Sequence, residues 1–272
     1  MNLIEMFSFD FMLRAFAVGA LVALCSAMLG VTLTLKRFSM IGDGLSHVGF
    51  GALAFAAALN LAPLWVSIPV VVVAAFFLLR LSQNNHIGSE SAIAIISSSA
   101  LAIGVIVASL TGINTDLNTY LFGSILAISD IDMIFCVVLS AVVVVMFLLF
   151  YNKIFAVTFD EDFSKATGIN TSLNKSIISI LTALTIVVGM RVMGTLLISS
   201  LLVFPAVTAN YLCKRFKTVV IFAAVLSLLC VFAGVVISYD FGTPTGATVV
   251  VINLTVFLCA FSIAKIRSKR KK

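Results

Sequence analysis

The sequence predicts an all-α polytopic membrane protein of about nine transmembrane helices, and three observations carry that prediction. Of 272 residues, 62% are hydrophobic and only 10% charged, against about 25% charged in an ordinary soluble domain. With a mean hydropathy of +1.23, the chain holds more apolar surface than a water-exposed globule can bury. The apolar residues also fall into runs of about 20, the length that crosses a bilayer as a helix. Finally, Lys and Arg collect between alternate runs, as cytoplasmic loops do.

The runs lie near residues 11–35, 40–59, 63–81, 91–110, 132–151, 174–190, 192–212, 218–238 and 246–264. Around 189–191 two of them are almost continuous, so eight spans is the alternative count. The opening MNLIEMFSFD lacks the basic region and small-residue cleavage site of a removable signal peptide, and the first run is expected to be a retained span. With the N-terminus outside and the C-terminus cytoplasmic, all of the 17 Lys and Arg residues except Arg14 and Arg191 fall on the cytoplasmic side. Glu5, Asp10, Asp116, Asp130, Asp132 and Asp240 fall outside. Arg191 is read as a snorkelling residue at the outer boundary, while Asp116 and Asp240 are outer-loop acids that can attract cations.

The basic tail 265–272 contains Lys265, Arg267, Lys269, Arg270, Lys271 and Lys272 and no acid. It equals the whole formal charge of +6, so no basic surface remains for nucleic acid. The charge is instead a topological anchor of a multi-pass protein of the cell (plasma or inner) membrane, with the lipid bilayer as its surroundings. Cys25, Cys136, Cys213, Cys230 and Cys259 all sit in apolar runs without C-x-x-C spacing and read as reduced core residues. The chain reads as one transmembrane domain over 1–272, with no ATP-binding G-x-x-x-x-G-K-[ST] motif and no evident internal repeat.

Two connections are long enough to contain structure. The outer one, 111–131, includes TYLFGSILAIS, about 11 apolar residues, too short to span and expected to lie in the interface or re-enter. In the inner one, 152–173, TFDEDFSKATG reads as a short cytoplasmic helix over about 158–168. Thr158 is its expected N-cap and Glu161 the capping-box acid, with Lys165 late, Gly168 as the stop, and Phe159, Phe163 and Ala166 on one side.

The chemistry concentrates in MIGDGLSHVGF, residues 40–50, at the start of the second run. Asp43 and His47 are four apart, so a helix places their Cβ atoms about 5–6 Å apart on one face. A carboxylate inside a span costs roughly 2.5–3.5 kcal/mol on insertion scales and ordinarily faces a bundle interior or aqueous path. Counted as helix from Arg37, His47 would lie roughly 15 Å deep, near the bilayer middle. Mixed O and N donors suit zinc, manganese or iron, whereas thiolates would favour softer ions. Gly42, Gly44, Gly49 and Gly51 around the pair allow close helix approach or room for an ion. The same residues also fit a metal-free Asp–His hydrogen bond. Asp43, Ser46 and His47 together contain the residue types of a hydrolase triad, although neighbouring helical positions point about 100° apart. His86, in the loop SQNNHIGSE, reads as a solvated residue.

RFSMIGDGLSHVGFGALAF resembles the signature of the metal-cation permeases of ABC importers for zinc, manganese or iron. DLNTYLFGSILAIS, TFDEDFSKATGIN, GTLLISSLLVFPAVTAN and YDFGTPTGATVVV resemble, in order, that family's outer loop, cytoplasmic coupling segment, seventh-span pattern and last outer turn. Gly44 departs from the Ala or Thr usual in the motif, which leaves the Asp–His spacing intact. The resemblance implies a permease homodimer working with a separate cytoplasmic ABC ATPase and an extracellular metal-binding lipoprotein or periplasmic protein. It also implies Asp43 and His47 as ligands of the passing zinc or manganese, no permanently bound cofactor, no catalytic residues, and 158–168 as the coupling helix. Pro205 would bend the seventh span. The competing readings are a stand-alone, ion-coupled secondary metal transporter and an intramembrane hydrolase.

Overall fold

The computed structural model describes residues 10–61, 63–81, 88–111, 123 and 130–269. Among the described residues it contains helices and no strand. The helices are α1 Asp10–Leu35, α2 Ile41–Ala58, α3 Pro63–Leu81, α4 Ser89–Thr111, α5 Asp130–Leu149, α6 Tyr151–Phe159, α7 Glu161–Ala166, α8 Thr171–Met193, α9 Thr195–Leu212, α10 Phe216–Phe241 and α11 Thr245–Lys269. Eight of them, α1, α2, α4, α5 and α8 to α11, are long and apolar enough to cross a membrane. The third predicted run is occupied by α3, whose apolar stretch is Trp65–Leu78. The predicted segment 119–129, apart from Gly123, together with His86, Asp116 and the last three tail residues, lies outside the described residues.

The helices sort by burial. Central α1 packs on α5, α8, α9 and α10, and α8 packs on α1, α2, α3, α5 and α9. By contrast α4, α5 and α11 leave large apolar side chains such as Ile103, Val138 and Val251 more than half exposed. Apolar faces of that kind are what lipid solvates. Cys25, Cys136 and Cys230 are buried free thiols as expected, while Cys259 is exposed on α11 and Cys213 is half-buried.

Two ends of the bundle carry most of its charge. At one, Arg14 reaches Asp130 at 2.8 Å and Arg191 reaches Asp132 at 2.8 Å. These are the two arginines that break the charge bias, and each has acquired a carboxylate. Arg191, expected as a snorkelling residue, has an ion-pair partner that its place in the sequence did not reveal. The helix break also differs from the expected 189–191. Gly194 alone separates α8 from α9, with φ 82 and ψ 164, a backbone that only glycine adopts cheaply. Gly123 of the α4–α5 connection, at φ +66, lies so close to Met193 and Gly194 that a Cβ there would overlap their backbone.

At the opposite end, the predicted single helix over 158–168 is two helices. Thr158 is not a cap: it sits in α6 and donates to the Ile154 carbonyl at 2.6 Å. Asp160 interrupts the helix in an extended conformation and caps α7, its Oδ1 accepting from the Phe163 N–H at 2.9 Å. The Gly168 stop stands where expected, with φ +83. There the Ile169 N–H donates to Ser164 O at 3.0 Å and the Gly168 N–H to Lys165 O at 3.1 Å, a Schellman closure. Asn170 then caps α8 through Leu173 N–H at 3.0 Å.

Candidate functional site

The second predicted span begins later than its apolar run. Residues 36–40 form a turn, with Arg37 at φ 62, and α2 starts at Ile41. Asp43 is therefore in the first turn of α2, where the amide dipoles favour a negative charge. His47 lies six residues beyond the start of α2, only about 9 Å along the axis. The rise along the helix to His47 is thus shorter than the roughly 15 Å expected when residues 37–40 are counted as helix.

Asp43 and His47 do share a face. His47 Nε2 stands 3.6 Å from Asp43 Oδ2, with side chains 21% and 48% exposed respectively. At that separation the pair is not a direct hydrogen bond. His47 Nδ1 is buried with no hydrogen-bond partner, which costs about 1–3 kcal/mol. The imidazole and carboxylate thus form an incompletely satisfied donor pair, unlike the closed Asp–His unit of a purely structural role. No third His, Cys, Asp or Glu joins them among the described residues. Ser46 is fully buried and its hydroxyl donates to the Gly42 carbonyl at 2.7 Å, an ordinary helical back-bond.

Glycines hold α2 against three neighbours. An added Cβ at Gly42 would stand 2.7 Å from Leu202 of α9, and one at Gly49 2.6 Å from Met190 of α8. At Gly44 it would stand 2.6 Å from Ile93 of α4, and at Gly51 2.8 Å from the Ala100 carbonyl. Their role in this structure is close approach. Gly44, the departure from the usual motif, lets α4 come nearer than an alanine would.

A second polar cluster lies at the same end of the bundle as the start of α2. Glu161, at the start of α7, accepts from Lys175 of α8 at 2.6 Å and contacts Lys165 at 3.0 Å. With Lys36 and Phe38 of the α1–α2 turn, Glu161 and Lys175 line a cavity of about 290 Å³. Burial raises the Glu161 carboxyl, but the Lys175 and Lys165 contacts outweigh it and hold the group below its usual range. Burial pushes Lys36 down to about 8, with Lys175 adding repulsion and Glu161 opposing. An unfolded lysine keeps its proton to about 10.4. Below about 8 the folded protein therefore bears the full cost of this buried ammonium, and between that value and the unfolded one stability rises with pH. Thermal-midpoint curves of the wild type and Lys36→Met are expected to diverge across this window, the wild type gaining on the variant. Parallel curves would contradict the burial of Lys36.

A family model described as the ABC 3 transport family matches residues 8–264. The chain belongs to the ABC 3 transport family. Among its relatives is the high-affinity zinc uptake system membrane protein ZnuB of Haemophilus influenzae, 30% identical over 251 residues, covering 92% of this chain and 96% of that protein. The manganese import system permease protein ScaB of Streptococcus gordonii is 29% identical and covers 94% of this chain and 92% of its own. The solved structure of PsaBC from Streptococcus pneumoniae in complex with a Fab superposes with a TM-score of 0.84 at 28% identity, covering 96% of this chain and 95% of that one. As an ABC 3 member, this chain is a membrane transport permease and not an enzyme.

Within this ABC 3 permease, the structure brings Asp43 and His47 together and places the α7 region beside the turn that leads into them. Asp240, at the far end of α10, is exposed and remote in sequence from the pair. The sequence reading missed that Glu161 binds Lys175 and that Lys36 faces both. The available signal was weak: three basic positions flanking one acid-rich turn.

Proposed function

We propose that this permease is the membrane subunit of an ATP-driven importer of divalent transition-metal ions, with zinc favoured and manganese or iron also suited to its donors. The observation that carries the reading is the Asp43–His47 pair, 3.6 Å apart with the second imidazole nitrogen unpartnered. Oxygen and nitrogen donors of this kind match borderline divalent ions. The names of the zinc-uptake and manganese-import relatives support the same substrate class.

One chain supplies two donors, fewer than a transition-metal ion needs. Two copies meeting on a two-fold axis would supply two carboxylates and two imidazoles, enough for tetrahedral zinc or a water-supplemented manganese site. The ion must be held loosely, since a site as tight as a structural zinc would not release it. Metal delivery falls to an extracellular binding protein and ATP hydrolysis to a cytoplasmic ATPase. The N-terminus lies outside and the C-terminus in the cytoplasm, a placement supported by the distribution of Lys and Arg.

The α6–α7 elbow is the element on which the ATPase would act. Phe159 and Phe163 are 60% and 64% exposed there, beside acids and lysines, an apolar patch outside the spanning helices that a partner can cover. A push on α7 reaches α8 through Glu161–Lys175 and the α1–α2 turn through the shared cavity. In the assembled complex, Glu161→Gln is expected to lower metal uptake about tenfold while ATP hydrolysis persists. Equal loss of both activities would instead place Glu161 in assembly. Competition among zinc, manganese and ferrous iron in the same uptake assay identifies the metal. Uptake by this chain alone under an ion gradient would overturn the ATP-driven reading.

A further inference from the structure

A groove of about 650 Å³ opens along α1, between α5 and α10. Both helices pack on α1 but scarcely on each other, and Val220 and Ala224 of α10 line the space between them. The floor is buried and apolar, with Met28 and Phe147 at 7% and 1% exposure. Its open wall includes Ile221 and Val225, at 54% and 50% exposure.

The groove is polar at one end only. Tyr151, Asn152 and Lys217 line that end, and the lining then runs along α10 to Leu228. Eleven residues of helix advance about 16 Å, close to half of the roughly 30 Å hydrocarbon core. Tyr151 is wedged among aromatic rings, 6.3 Å from Phe147 and 5.6 Å from Phe216, in the manner of residues at a membrane–water boundary. Lys217 is exposed and makes no ion pair among the described residues. Lys214 and Arg215 lie just before it in sequence, and Lys153 follows Asn152 of the groove lining, so this rim is basic.

We infer that the groove binds one acyl chain of an anionic phospholipid from the leaflet at the Lys217 end, with the headgroup phosphate on Lys217. Length selects a single leaflet, apolar lining selects the chain, and the basic rim with Lys217 on the groove selects the anionic headgroup. A bound lipid here would brace α5 against α10 across the gap, both of them already fixed to α1. The inference needs only the membrane placement of the chain, so its failure leaves the transport reading untouched.

The test uses the full-length permease extracted from vesicles of phosphatidylethanolamine and phosphatidylglycerol in equal amounts, with retained lipid counted by native mass spectrometry. The wild type is expected to retain phosphatidylglycerol in preference to phosphatidylethanolamine. Lys217→Glu is expected to lower retained phosphatidylglycerol about fivefold and leave phosphatidylethanolamine unchanged. Ala224→Trp, which fills the groove, is expected to remove the retained lipid, and Val225→Trp on the exposed wall serves the same purpose if the first fails to fold. Equal retention of the two lipids with no effect of Lys217→Glu would reduce the groove to ordinary annular contact and overturn the site. Disulfide cross-linking of Val225→Cys between two copies would also overturn it, by making the groove a protein interface.

Discussion

Asp43→Asn and His47→Ala each lower ATP-dependent metal uptake by about 100-fold or more, while the variant proteins still reach the membrane. The expected loss is large because each substitution deletes one of the two proposed donors, and a symmetric dimer would lose two of four. Folding should survive. Asp43 is half exposed in the first turn of α2, where losing its charge forfeits only about 0.3–1 kcal/mol of favourable interaction with the helix amides. His47 makes no tight hydrogen bond to Asp43 and is partly exposed, so truncating it breaks no close contact between the two. A structural pair predicts the reverse pattern, with uptake preserved and stability reduced. Membrane abundance and uptake measured on the same preparations separate these outcomes.

Gly51→Val is expected to cost about 3 kcal/mol, the upper part of the range for overpacking, and to abolish uptake through folding and not ligation. A Cβ at Gly51 would stand 2.8 Å from the Ala100 carbonyl, and one at Gly104 would stand 2.9 Å from the Gly51 Cα. Here the backbones of α2 and α4 touch, one turn beyond His47. Valine in a helix has one dominant rotamer, and the obstruction is main chain that cannot swing aside. The two helices must separate, carrying the Asp–His face with them. Gly88→Ala provides the control, since nothing lies within 4 Å of its added Cβ and its backbone is not left-handed. The thermal midpoint should fall for Gly51→Val and stay unchanged for Gly88→Ala. An unchanged midpoint for Gly51→Val would mean that α2 is not clamped at this crossing.

Much of the architecture was legible because lipid imposes a simple rule on the chain. Long apolar runs must become helices, and the helices of the structure occupy the predicted runs to within a few residues. The Asp43–His47 pair was legible for a similarly local reason, since a spacing of four on any helix brings two side chains together. What failed to show was decided by contacts distant in sequence or by competition between neighbouring signals. The α8–α9 boundary moved to Gly194 because the apolar run is continuous there, and the approach of Gly123 is a tertiary event. Arg14 and Arg191 looked like exceptions to a charge rule until Asp130 and Asp132 were placed beside them. At the elbow, the expected cap Thr158 lies inside a helix that the sequence reading did not foresee. Because α6 already runs through Thr158, its hydroxyl bonds backward to Ile154 and the cap falls to Asp160. The helix leading to His47 is shorter than a count from Arg37 gives, because residues 36–40 form a turn.

The central claim is that metal crosses the membrane through this chain at Asp43 and His47 under the drive of a separate ATPase. Proteoliposomes containing the permease and its ATPase, supplied on the outer face with metal-loaded binding protein, test it most directly. The account predicts zinc or manganese accumulation that requires both ATP and the ATPase, and that vanishes with Asp43→Asn. Accumulation by the permease alone under an ion gradient, or undiminished ATP-dependent accumulation with Asp43→Asn, would contradict it.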